Sequence, residues 1–387
     1  MPEPKIRSAY LDGLRGLAAL YVVFYHVYRE INWQLKLSMP SLVSTLMECL
    51  NHGRFAVAVF IVLSGYCLML PMVNSANRHG SLLNYFKRRA RRILPPYYAA
   101  LVLSLLLFAL IPASLHSAMG LHWNEAQPAF TPGVLLSHVL LLHNLKEDWI
   151  YKINGPMWSV ATEWQIYFFF PLLLLPVWKR FGLPSTLATA FAVGLAPHYL
   201  IYNPAVGKYK YLDWAVPWYL GLFALGMAGA VIGFSRQPSF IFLRKRLPWH
   251  VLCLGLITLL AVQRDLWKND HAWTVDVLVG AIVAAMLIYC TSFLTTTDNR
   301  QQPILILQLL GSQWAVALGS FSYSLYLVHA PILGVSQLLV DSLDMPPMVQ
   351  VLTLLMVVPL AVILSYLFHL AFERPFMHNY PKKEKAA

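Results

Sequence analysis

The sequence predicts an all-α fold: a polytopic membrane helical bundle of about ten transmembrane helices, with both termini cytoplasmic. Three observations carry that expectation. Of 387 residues, 58% are hydrophobic and 12% charged, with a mean hydropathy of +0.57, whereas soluble domains carry about 25% charge. Apolar runs of the roughly 20 residues that cross a bilayer recur along the chain. A 13% aromatic content suits belts of Trp and Tyr at the membrane surfaces.

The runs fall at 9–28, 53–73, 93–112, 157–178, 184–202, 214–234, 248–265, 273–293, 314–340 and 348–371. Segment 133–145 is too short to cross and reads as re-entrant or interfacial. One integral domain, 9–375, lies between a cytoplasmic segment, 1–8, and a basic cytoplasmic tail, 376–387. Lys5 and Arg7 before the first run mimic a secretory signal. No small-x-small cleavage pattern follows, so the run is expected to stay as an uncleaved span. No internal repeat is evident.

The net charge of +12 could suggest nucleic acid, but its distribution argues otherwise. With cytoplasmic termini, 19 Lys and Arg face inward and 9 outward, Arg15 being within the first span. Glu30, Glu48, Glu125, Glu147, Asp148, Asp213 and further acidic residues face outward. This is the positive-inside bias, and it directs the excess charge at anionic lipid headgroups. No nucleic-acid partner is needed. Cys49, Cys67, Cys253 and Cys290 form no C-x-x-C pair, so neither a disulfide framework nor a metal site is expected.

The first span carries Asp12, Arg15 and His26. At about 100° per residue, the step from Arg15 to His26 is three turns plus roughly 20°, and Asp12 lies within roughly 60° of both. Ionisable groups in a span face the bundle interior or a water-filled cavity, which marks this stripe as a candidate site. Asp12 and Arg15 could simply pair; alternatively Arg15 stabilises developing negative charge or holds a substrate.

Before the third span, Lys87, Arg88, Arg89, Arg91 and Arg92 make a basic cluster. It reads either as a topology anchor on anionic lipid or as a site for a cytoplasmic compound with several phosphates. Arg89 and Arg92, three apart at a helix start, suit the second. In the segment from Asn154 to Tyr167, Pro156 suits the first turn of a helix, and Ser159, Glu163 and Tyr167 share a face at four-residue spacing. Glu163 is either half of an ion pair with an arginine or a catalytic or positioning acid. Ser322, Tyr326 and His329 share a face in the ninth span, where hydroxyls commonly join helices. Glu373 and Arg374 end the tenth span as a cap or ion pair.

These segments together resemble the acyltransferase-3 family of integral membrane acyltransferases. The resemblance rests on D-G-L-R-G-L-A from Asp12, with a histidine eleven residues after its arginine, V-F-I-V-L-S-G-Y at 59–66, and R-R-A-R-R-I-L-P-P-Y-Y at 88–98. N-G-P-M-W-S-V-A-T-E-W-Q-I-Y at 154–167, S-Y-S-L-Y-L-V-H at 322–329 and E-R-P at 373–375 complete it. It runs from about Tyr10 to Pro375.

The resemblance implies an enzyme of a bacterial inner membrane that moves an acyl group, commonly acetyl, from cytoplasmic acyl-coenzyme A to a hydroxyl of a carbohydrate or lipid-linked glycan. Acyl-coenzyme A would be a co-substrate, and no permanently bound cofactor is implied. The catalytic set would be His26, Arg15, Asp12 and Glu163, with Arg88, Arg89 and Arg92 binding the donor. Asn154, Trp158, Ser159, Tyr167, Tyr326 and His329 would bind acceptor or support the site. His26 would act as general base or as a covalent nucleophile, and Glu163 would orient His26 or bind acceptor hydroxyls. His116, His122, Trp123 and Trp149 in the outer segment 113–155 suit stacking on a sugar. Some relatives add an extracytoplasmic hydrolase-like domain opening with G-D-S. This sequence shows no such segment, so a stand-alone membrane domain without an internal two-stage relay is expected. The competing class is a transporter or flippase for a lipid-linked sugar or organic anion. It would show repeated halves and would release no free coenzyme A.

Overall fold

The computed structural model describes residues 6–31, 45, 47–74, 81–110, 131–203, 208–209, 212–262, 272–296, 302–342 and 347–377. Nearly all of them are helical. The sole sheet among them is a hairpin of β1 (Tyr202–Asn203) and β2 (Lys208–Tyr209). The helices in chain order are α1 (Ile6–Glu30), α2 (Gly53–Asn74), α3 (Leu82–Leu110), α4 (Pro132–Val139) and α5 (Met157–Phe169). A π-turn at Phe170–Leu174 leads into α6 (Leu175–Leu200), followed by α7 (Tyr219–Phe234), α8 (Pro238–Arg246), α9 (Trp249–Val262) and α10 (Ala272–Thr296). The chain continues through α11 (Leu305–Leu310), α12 (Gln313–Ser320), α13 (Ser322–Ser342) and α14 (Pro347–Phe368).

Six described helical stretches are long and apolar enough to cross a membrane, eight if each of two bent pairs is one crossing. The 25-residue α1 is not among them, because Asp12, Arg15 and His26 make it too polar. The run from Met157 to Leu200 holds 44 residues, about twice what a bilayer needs. Gly182, at φ 80°, divides it between the two predicted spans. Only a residue without a Cβ takes that backbone conformation cheaply.

The structure differs from expectation in two places. Segment 314–340 is not one straight span: Gln313–Ser320 and Ser322–Leu338 meet at 73°, because Phe321 leaves helical geometry (φ −126°, ψ 19°). The basic cluster does not begin a helix. α3 starts at Leu82 and continues through Pro95 and Pro96, placing Arg89 and Arg92 inside it. Segment 133–145 becomes the eight-residue α4, started by Thr131 Oγ1 accepting from Val134 N, and then a 3-10 turn at His143–Leu145. At about 12 Å, α4 cannot cross. The segments 1–5 and 378–387, together with His116, His122 and Trp123, lie outside the described residues.

Glycines set the helix packing. A Cβ built on Gly13 would lie 1.7 Å from Leu310 O, and one on Gly319 would lie 2.0 Å from Asp12 O. The glycines of the first motif therefore press α1 against the backbones of α11 and α12. Gly65 meets Phe223 O at 2.0 Å and Gly226 meets Val62 O at 2.0 Å by the same measure, which joins α2 and α7 backbone to backbone. With no hydrophobic drive between helices in lipid, such close approach is a main source of association. The largest core cluster surrounds α2 and α7; a second, including Val23, Leu325 and Leu354, joins α1, α13 and α14.

Gly226→Ala is expected to cost on the order of 1–3 kcal/mol through overpacking, lowering the thermal unfolding midpoint in detergent. Gly255→Ala, with nothing within 4 Å of the added carbon, should leave it unchanged.

Candidate active site

Two chambers lie within the bundle. The first, of 140 Å³, is lined by Arg15, Ser64, Cys67, Arg89, Arg92, Ser159, Glu163 and Tyr167, with Tyr323 alongside. The second, of 400 Å³, holds His26, Arg29, Arg54, Trp158 and Asp213. They share two lining residues, Val57 and Tyr326. Three helices run through both in the same order. On α2, Ser64 faces the arginine chamber, Val57 the junction and Arg54 the histidine chamber. On α13 the order is Tyr323, Tyr326, Ala330, and on α5 it is Glu163, Ser159, Trp158. α1 contributes Arg15 to one chamber and His26 to the other, about 16 Å apart along its axis. The imidazole therefore faces a cavity rather than lipid.

In the arginine chamber, Arg15 does two things. Its Nη1 donates to Asp12 Oδ1 at 3.1 Å and its Nη2 to Cys67 Sγ at 3.0 Å. Asp12 supports Arg15 and does not line the chamber. Arg89 lies with its guanidinium carbon 5.7 Å from the centre of the Tyr167 ring. Arg88 is exposed and lines neither chamber. Glu163 accepts from the hydroxyls of Ser64 and Tyr167 rather than from an arginine. It does not contact His26, so the expectation that it orients that ring gives way to a different partner.

That partner is His329. Its Nε2 lies 3.2 Å from His26 Nδ1. His26 Nδ1 is also 2.9 Å from Val22 O, and His329 Nδ1 is 3.1 Å from Leu325 O. Carbonyls only accept, so the hydrogen-bond network assigns the proton of each ring to Nδ1. The basic nitrogen of His26 is then Nε2. His329 is fully buried and sits behind His26 without lining either chamber. Tyr326 OH bonds Ser159 Oγ at 2.5 Å and donates to Pro156 O at 3.1 Å, fixing its ring at the junction. Asn154 reaches neither chamber. Its Nδ2 donates to Ser104 Oγ at 3.1 Å and Leu327 O at 2.9 Å, tying the approach to α5 onto α3 and α13.

Glu373 is not an arginine pair. Its Oε2 accepts from Ser324 Oγ at 2.6 Å, Ser324 N at 3.3 Å and His369 Nδ1 at 2.9 Å, all buried. This latch holds the end of α14 to the start of α13. Sequence reasoning also missed Arg54, whose Nη2 meets Asp276 Oδ2 at 2.5 Å. The signal was present: Asp276 is the only acidic residue in the run 273–293, and an intramembrane carboxylate needs a partner. Among the described residues, no group of three His, Cys, Asp or Glu side chains could hold a metal.

A family model described as an acyltransferase domain matches residues 8–370. The chain belongs to the acyltransferase-3 family. Among named relatives, the acyltransferase MdmB of Streptomyces mycarofaciens is 29% identical over 174 residues, 44% of this chain and 40% of that one. The O-acetyltransferase OatA of Staphylococcus aureus is 22% identical over 353 residues, 84% of this chain and 50% of the relative. The peptidoglycan O-acetyltransferase OatA of Listeria monocytogenes is 22% identical over 339 residues, covering 84% and 49%. The chain thus spans about half the length of the curated relatives it matches, or less. No solved structure matches it.

Glu373→Ala should leave the buried Ser324 and His369 donors unpaired, at a cost of about 1–3 kcal/mol per group. Thermal unfolding in detergent should show a clear loss of stability.

Proposed function

We propose that this chain is an integral membrane O-acetyltransferase. It takes acetyl from acetyl-coenzyme A on the cytoplasmic side and passes it to a hydroxyl of a carbohydrate acceptor, a surface polysaccharide or glycolipid of a bacterial inner membrane. One observation carries the reading: a chamber walled by guanidinium groups adjoins a chamber holding an imidazole, and they share Val57 and Tyr326. Family membership and the printed activities of the relatives support it.

Arg89 and Arg92 suit the phosphates of the donor, since guanidinium forks match phosphoryl oxygens. The pantetheine arm then extends past Arg15 and Cys67 to the Tyr326 junction, and the thioester meets the acceptor beside His26. His26 Nε2 removes the acceptor hydroxyl proton as that oxygen attacks the thioester carbon. The carbon–sulfur bond breaks, and the proton passes on to the departing thiolate. His329, bonded to His26 Nδ1, keeps the ring in the tautomer that can do this. Tyr25, Tyr151, Trp158 and Trp214 line the histidine chamber among Arg29, Glu30, Arg54 and Asp213. Flat aromatic faces beside charged hydrogen-bonding groups suit a sugar ring. These aromatics take the place in the proposal of His116, His122, Trp123 and Trp149.

His26→Ala should lower acetyl transfer by about 10²–10⁴-fold without changing yield or membrane insertion, measured by thiol release from acetyl-coenzyme A in membranes. Arg89→Ala with Arg92→Ala should raise the KM for acetyl-coenzyme A, whereas loss of protein alone would favour a topology anchor. A wild-type protein that frees no coenzyme A with any acceptor would point to a flippase instead.

A further inference from the structure

Arg54 opens α2 and lines the same chamber as His26. Its Nη2 is bound at 2.5 Å by Asp276 Oδ2 on α10, and that oxygen also accepts from Trp218 Nε1 at 2.8 Å. The Asp276 side chain is 2% exposed, while that of Arg54 remains 45% exposed. Burying a carboxylate is costly unless a partner compensates it. Here the buried carboxylate, itself held by an indole, grips one edge of a guanidinium that also contacts the Tyr219 side chain and lines the chamber. A guanidinium carries five N–H donors in a rigid fork, so the contacts to Asp276 and Tyr219 leave others to serve a ligand.

Two other candidates for that service are occupied. Arg15 is in the arginine chamber, bonded to Asp12 and Cys67. Tyr326 OH is engaged by Ser159 and Pro156. Arg54 also sits three residues, one helical step on the same face, from Val57 at the junction through which the thioester would arrive.

We propose that Arg54 is a catalytic residue that donates to the thioester carbonyl oxygen and holds the oxyanion formed there, with Asp276 as its positioning residue. This rests on the acetyl-transfer reading above. When the acceptor oxygen bonds to the thioester carbon, the carbonyl electron pair moves onto oxygen and His26 takes the hydroxyl proton. The Arg54 N–H groups stabilise that oxyanion. Its collapse re-forms the carbonyl and expels the coenzyme A sulfur, which leaves as a thiol with the proton from His26. A donor aimed in advance at developing charge needs no reorganisation during the reaction, which is what the Asp276 and Trp218 anchors provide.

The test uses membranes of the source cell with its chromosomal copy deleted and the full-length variant supplied. Radiolabelled acetyl-coenzyme A is the probe, with counts in the glycan fraction and free thiol read in parallel. Arg54→Gln and Arg54→Lys should each lower kcat by about 100-fold or more, with KM for acetyl-coenzyme A unchanged. Hydrolysis of the thioester by water should fall in proportion to glycan acetylation, since both pass through the same oxyanion. Asp276→Asn should lower kcat less, and adding it to Arg54→Gln should cost nothing further, the non-additivity of a coupled pair. A purely structural Asp276 would instead add its defect. Arg54→Lys keeps the cation facing Asp276 and remains the test where Arg54→Gln fails to accumulate. Wild-type thiol release in both variants overturns the proposal, as does a defect confined to glycan transfer with hydrolysis intact. Wild-type membranes that free no thiol defeat the acetyl-transfer reading itself, a separate outcome.

Discussion

A charge at the centre of an apolar bundle has no water to lean on, so it persists only where another side chain answers it. That constraint organises this protein. Asp12 answers Arg15, Asp276 answers Arg54, and Glu163 is capped by Ser64 and Tyr167, while Glu373 is shared by Ser324 and His369. Each set joins different parts of the fold, or different turns of one helix, and together they fix where the two chambers open. The polar groups needed for chemistry and those that lock the helices are therefore the same kind of object. They differ in whether a cavity touches them.

Close backbone packing is the second half of the design. Gly13 and Gly319 bring α1 against the elements just before α13, and Gly65 and Gly226 seat α2 on α7. α1 and α13 carry the two histidines, and α2 carries Arg54. Contacts of 3.2 Å between rings on different helices tolerate little drift in the helix axes. These four glycines thus help set the site although none of them lines either chamber.

Much of this was legible in the order of residues. Helical periodicity placed Arg15 and His26 on one face, and the single acid in the α5 segment singled out Glu163 as an ion-pair partner or a catalytic or positioning acid. The limits are instructive too. Periodicity relates residues of one helix and says nothing of what another helix presents to them, so the His26–His329 contact and the Arg54–Asp276 pair were invisible as pairs. Arg54 was counted as an outward charge because it stands at the end of an apolar run. Its partner lies 222 residues further along. Glu373 was read with its neighbour Arg374 as a cap or an ion pair for the opposite reason: adjacency in the chain suggested a pairing that helical geometry sends elsewhere. The bend at Phe321 escaped notice because an apolar run looks the same straight or broken.

Tyr326 stands where the chambers meet, its hydroxyl tethered to α5 at both Ser159 and Pro156. If those cavities open toward opposite sides of the bilayer, an aqueous path joined end to end would short-circuit the ion gradients on which a cell runs. In that arrangement a ring pinned across the divide would act as an insulator, keeping the protein electrically tight while each cavity stays open to its own side. Only a slender, flexible chain, and never a file of hydrated ions, would then be able to slip beside it.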